Sequence, residues 1–214
     1  MTTTSDLIET LVDGAEPVAR RHVEGRLAAG AGAGVLVSVA LMIPLLGLRP
    51  DLAAAAATAS FWVKFAYTFL LALFLGGAVE RLSRPGASAV RPVHGAVWVL
   101  LGVTLLALAQ LLMSPPEARV GLAMGSSASK CPWLIIAFSL PPLIGSIWAV
   151  RGLAPTRLVP AGFAAGLLAG ALGALVYSFH CDEFAMPFLA IWYTLGIAAV
   201  GAIGTLVARP LLRW

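Results

Sequence analysis

Charge and cysteine are both scarce in this chain. Of its 214 residues only 11% are charged and two are cysteine, Cys131 and Cys181. So little charge excludes an ordinary soluble domain, in which about 25% of residues are charged. Two cysteines exclude the disulfide framework that staples small secreted domains. Neither a CxxC pair nor an HExxH run occurs, so the compact signatures of redox and zinc chemistry are missing. The first 26 residues hold no apolar run of signal-peptide type, so no cleavable signal is expected and the first apolar span must act as the insertion signal. Outside the apolar windows, no stretch is long enough for a soluble catalytic domain. An enzyme is not expected.

What the chain has is apolar length. Hydrophobic residues make up 60% of it and the mean hydropathy is +0.93. Six windows reach the roughly 20 residues that carry a helix across a bilayer core: Leu27–Leu48, Phe61–Ala78, Val93–Met113, Pro132–Val150, Leu158–Phe179 and Phe184–Ala208. The expected fold is an all-α integral membrane protein with six transmembrane helices embedded in a lipid bilayer. Its fourteen basic residues set the orientation. With the N-terminus in the cytoplasm, ten fall inside (Arg20, Arg21, Arg26, Arg81, Arg84, Arg91, Arg151, Arg157, Arg209 and Arg213), and Arg49, Arg119 and Lys130 fall outside, with Lys64 inside a span. That asymmetry predicts both termini in the cytoplasm. The net charge of +4 then reflects topology, and no nucleic-acid partner is needed to explain it.

The joints carry breakers, "GLRPDL", "SRPGAS", "MSPPEARVGLAMGSSASK" and "GLAPTR". Before the first span, Leu7, Ile8, Leu11 and Val12 recur at helical spacing, with Asp6, Glu9, Asp13 and Glu16 around the other side. Thr3 and Asp6 resemble a capping box, and Pro17 should end or bend this short amphipathic helix. Two turns are not stable alone, so the segment either folds against a partner or lies disordered or against the protein's own loops. Gly162, Gly166, Gly170 and Ala174 form a small-residue row suited to close helix packing. Pro44 and the pair Pro141 and Pro142 should kink their helices. Lys64, one turn inside the second span, is expected to snorkel to the interface, the alternative being a functional charge.

The two cysteines flank adjacent spans. Cys131 precedes the fourth and Cys181 follows the fifth, and because consecutive spans run antiparallel both thiols fall on the outer side. In "SKCPW" Cys131 reads as the N-cap, with Pro132 at the first helical position. The helix end and Lys130 would favour its thiolate, making it the expected nucleophile. In "YSFHCDEF" Cys181 sits among His180, Asp182 and Glu183. Two arrangements satisfy these groups: a Cys131–Cys181 disulfide, or a site in which Cys131, Cys181, His180 and Glu183 hold a transient metal ion of zinc or cadmium type. The bland alternative is that the polar residues form a solvated turn. No cofactor is obligatory in either arrangement.

Several stretches together resemble the NrsF-type family of six-span membrane anti-sigma factors, negative regulators of extracytoplasmic-function sigma factors: "DLIETLVDGAEPV", "GLRPDL", "RPG" after the second span, "CPW", and "HCDEFAMPFLAIWY". The resemblance runs the full length. It implies an inner-membrane anti-sigma factor in which a cytoplasmic leader, residues 1–26, sequesters the sigma factor; the helical spacing of Leu7, Ile8, Leu11 and Val12 makes them the expected contact stripe. Residues 27–214 would form the sensor, with Cys131 and Cys181 reporting heavy metals or oxidants in the periplasm and releasing the sigma factor. Two other classes compete. A thiol-redox protein would want a CxxC-type pair. A small transporter handling metal ions would want polar residues deep in its spans, where only Gln110, Thr104, Ser139, Thr68 and the proline pair are found.

Overall fold

The computed structural model describes residues 3–13, 20–153 and 155–213. Among them all regular structure is helical. Each expected span is present, with ends shifted by a few residues: α2 (Arg20–Leu46), α4 (Ala59–Leu82), α5 (Val90–Met113), α7 (Cys131–Arg151), α8 (Leu158–Tyr177) and a final segment. That segment is built of α9 (Met186–Phe188), a π-helical turn (Leu189–Tyr193) and α10 (Thr194–Leu212). All six are long and apolar enough to cross a membrane. Among the described residues three short helices complete the fold: α1 (Thr4–Asp13), α3 (Leu52–Ala56) and α6 (Pro116–Met124). The sequence had suggested only turns at the last two.

Local chemistry explains the ends. At α1 the Thr3 amide donates to Asp6 Oδ2 at 2.9 Å and the Asp6 amide donates to Thr3 Oγ1 at 3.2 Å, a reciprocal cap that satisfies two otherwise orphaned donors. Those bonds hold the Asp6 carboxyl below the usual carboxylate range. Pro17, expected to end this helix, lies outside the described residues. At the far end of α2 the chain turns at Gly47, whose φ of +75° suits a residue without a Cβ. The α4 start is capped by Thr58, whose hydroxyl accepts from the Phe61 amide.

Helix α8 is the most buried of the spans, and its sequence shows why. A Cβ at Gly162, Gly166 or Gly170 would collide with backbone or Cβ atoms of α10, and one at Gly173 would strike Ser139 of α7. The small-residue row is therefore a packing seam. Helices α2 and α7 meet in the same manner where Gly30 and Gly145 touch backbone to backbone. The prolines of α7 sit inside a continuous helix. Pro142 has no N–H to give the Phe138 carbonyl four residues back; Ser38 of α2 donates its hydroxyl to that oxygen at 2.7 Å. The helix breaker thereby becomes an interhelical bond.

The helices alternate in direction, so one end of the bundle gathers the end of α2, the start of α4, the start of α7, the end of α8 and the start of α9. This cysteine end holds both thiols. The opposite end holds the start of α2, where Arg26 donates to the Ala149 carbonyl at 3.1 Å and stacks over Trp148 at 4.2 Å. It also holds the end of α10, where Ala208 packs on Gly162.

Candidate functional site: a buried thiol pair

Cys131 and Cys181, 50 positions apart in sequence, are free, buried thiols brought close enough together for Cys131 to shift the ionisation of Cys181. Two local structures bring them together. Cys131 is the first residue of α7, its amide donating to the Ser127 carbonyl at 2.8 Å. The sequence had placed it at the N-cap, but that position belongs to Lys130. Cys181 follows the last turn of α8, its amide still bonded to the Tyr177 carbonyl at 3.0 Å.

Both are buried, Cys181 at 3% exposure, and they differ in what lies beside them. Cys131 is fully enclosed, at 0% exposure, whereas Cys181 lines a cleft of about 610 Å³ together with Arg49, Asp51, Lys130, His180 and Asp182. The sequence favoured Cys131 as the nucleophile, whereas Cys181 is the thiol that lines the cleft. The Cys181 thiol is also held below its ordinary range, first by the hydrogen bond with Cys131 and then by the Lys64 ammonium, against the opposing effect of burial.

The polar neighbours have other partners. Glu183 Oε1 accepts from the Ser126 amide at 2.6 Å, the Ser126 hydroxyl at 2.8 Å, the Ser127 amide at 3.2 Å and the Ser127 hydroxyl at 3.3 Å. It thereby fastens the cysteine loop to the turn that launches α7. Gly125 makes room for this: it has φ +55°, and a Cβ there would run into the Glu183 carboxylate. His180 Nδ1 lies 3.0 Å from the Gly47 carbonyl, and Asp182 is exposed. The structure thus brings Cys131 and Cys181 together and directs His180 and Glu183 elsewhere. Among the described residues no group of three or more His, Cys, Asp or Glu is placed to hold a metal ion.

Three residues that sequence reasoning did not assign to the site surround the pair. Lys64 does not snorkel: it is 3% exposed, with Nζ donating to the Cys181 carbonyl at 3.0 Å. Arg49, 4% exposed, reaches the same carbonyl at 3.2 Å while forming a bidentate pair with Asp51 at 2.7 Å on both arms. That pairing raises the Arg49 pKa and lowers that of Asp51. Tyr193, fully buried at the end of the π-helical turn, sets its hydroxyl beside Cys181 with no oxygen or nitrogen partner. Lys64 was visible as the one cation inside a span, but the π-helical turn has no sequence signature. The polar residues deep in the helices serve backbone. Thr104, Ser139 and Thr68 donate to carbonyls one turn back, and Gln110 accepts from the Met186 amide.

The structure defines a protein of six helices long and apolar enough to cross a membrane, with two free thiols gathered at one end of the bundle. The chain belongs to the NrsF family, described as negative regulator of sigma F, whose model matches residues 11–214. It is 43% identical over 217 aligned positions to the anti-sigma-F factor NrsF of Caulobacter vibrioides, covering 99% of each chain. It is 39% identical, again over 99% of both chains, to a protein of Azospira oryzae named as a probable anti-sigma-F factor NrsF. No solved structure matches the chain.

Proposed function

We propose that this protein is a bacterial inner-membrane anti-sigma factor for an extracytoplasmic-function sigma factor, released by thiol chemistry at its outer face. The sigma factor is held through the N-terminal leader in the cytoplasm. Release follows when Cys131 and Cys181, facing the periplasm, meet a thiophilic metal ion or an oxidant. The observation that carries the sensing half is the approach of two free thiols that the sequence separates by 50 positions. The sequestering half rests on the relatives' names and on α1, where Leu7, Ile8, Leu11 and Val12 are 56 to 66% exposed. An apolar face left in water is the kind that a partner's groove covers. Metal ligation would use the two thiolates, with any further ligand drawn from His180 or water rather than from a preformed quartet.

The test uses a reporter gene driven by the sigma factor. Cadmium, and separately the thiol oxidant diamide, should induce it in cells carrying the native chain. Cys131→Ser and Cys181→Ser should each repress normally and fail to respond, and the double variant should match either single one, because two groups acting as one unit are not additive. Full induction in either single variant would overturn the sensing role. A Leu7→Asp and Leu11→Asp double variant should leave the reporter on without inducer, since each buried large aliphatic contributes about 1.5–3 kcal/mol.

A further inference from the structure

A lysine buried in an apolar bundle needs a reason. An ammonium withdrawn from water costs several kcal/mol unless it is paired, and among the described residues no carboxylate lies within ion-pair distance of Lys64. Its one hydrogen bond is to the Cys181 carbonyl, at 3.0 Å. The rest of its environment is aromatic, with the Phe184 and Tyr193 rings at 5.7 and 5.6 Å. Lys64 starts one turn from the end of α4, where a four-carbon stem can reach water, yet it is turned inward. Arg49 approaches the same carbonyl from the α2–α3 connection and stacks on Phe184 at 4.5 Å. Two cations from two different elements therefore converge on one peptide oxygen, and that peptide belongs to a cysteine of the thiol pair.

We propose that Lys64 is a positioning residue of the thiol switch, clamping the Cys181 carbonyl so that any displacement of Cys181 relative to Cys131 is passed to helix α4. This deepens the sensing role given above and rests on it. The geometry supplies the lever. Helix α4 runs from the clamp to the opposite end of the bundle, where Glu80 and Arg84 pair at 2.7 Å. Thiols drawn onto a metal ion move the loop that carries the carbonyl, and Lys64, sealed in the bundle, donates to no other acceptor among the described residues. Arg49 is anchored by Asp51 on the loop itself. Lys64 is the member of the clamp that belongs to a long helix.

The test has two arms. In cells, Lys64→Met keeps the length of the side chain and removes its charge and donors. It should repress normally at native protein levels but need about tenfold more cadmium for half-maximal induction, within the usual range of coupling between sites. Lys64→Arg, which restores a cationic donor, should recover most of the response, which mere filling of space would not explain. On the unaltered chain purified in detergent, cadmium chloride should change backbone hydrogen exchange both in the cysteine loop, 178–185, and in the first half of α4. This arm needs no variant, so a Lys64→Met chain that fails to accumulate leaves the inference testable. A native dose response in Lys64→Met, or exchange that changes in 178–185 and not in α4, overturns the clamp and leaves the sensing role standing. Cadmium that alters neither segment overturns both.

Discussion

Cys131 and Cys181 lie side by side and both are buried, with none of Cys131 and 3% of Cys181 exposed, and reactivity should follow the route by which each is reached. Cys181 lines the cleft and Cys131 is sealed behind it, so a small alkylating agent such as iodoacetamide should modify Cys181 first in the folded protein. Mass spectrometry after brief exposure should find the label there; label on Cys131 ahead of Cys181 would contradict the cleft as the entry path. The pH profile has a definite sign. The Cys181 pKa is depressed, and its largest cause is the hydrogen bond with Cys131. Its thiolate should therefore persist below the ordinary thiol pKa of about 8.5, and alkylation should slow only at lower pH. Cys131→Ser weakens that bond, because a hydroxyl is placed differently from a thiol. The alkylation profile of Cys181 should then shift toward higher pH.

At the scale of the helices, the bundle depends on backbones that approach closely and on carbonyls satisfied across helices. Ser38 fills the vacancy that Pro142 leaves at the Phe138 carbonyl. Ser38→Ala should cost about 1–3 kcal/mol, the penalty of a buried acceptor without a donor, read as a lower unfolding temperature in detergent. An unchanged transition would mean that the carbonyl finds another donor. The six spans were legible in the sequence because about 20 apolar residues in a row have few other uses. The shared side of the two cysteines was legible because it follows from the parity of the spans. The seam of Gly162, Gly166 and Gly170 was legible as a four-residue period, although its partner α10 was not. Three features were out of reach for physical reasons. Hydropathy gives the depth of Lys64 but not the inward fold of the loop after α8, whose carbonyl captures it. Glu183 reads equally well as a ligand or as an anion for backbone donors; the turn at Gly125 decides, and a turn's shape depends on φ values that residue type only biases. The π-helical turn at Leu189–Tyr193, which sets Tyr193 beside the thiols, leaves no periodic trace in so short a run.

For the whole molecule, the clamp also sharpens the orientation argument. The sequence assigns ten basic residues to one side and Arg49, Arg119 and Lys130 to the other, with Lys64 in a span. Structure removes two of those four from the balance at the cysteine end: Arg49 is neutralised by Asp51, and Lys64 is enclosed in the bundle. The basic residues left to the connecting segments at that end are Arg119 and Lys130, beside α6 and at the N-cap of α7. At the opposite end Arg81, Arg84, Arg91, Arg151, Arg157, Arg209 and Arg213 cluster within or beside the short connections and the last turn of α10. Positive charge near span ends is retained on the cytoplasmic side, so the cysteine end should face the periplasm. A reporter active only in the cytoplasm should work when fused after Trp214 or within 84–91. One active only in the periplasm should work within 115–129, on the segment that carries α6. The reversed pattern would put the thiols in the reducing cytoplasm, where a pair poised for oxidation has little to report. It would also strand α1 on the side without sigma factors. One topology experiment therefore bears on both halves of the proposed function, since the same six crossings fix where the leader and the cysteines lie.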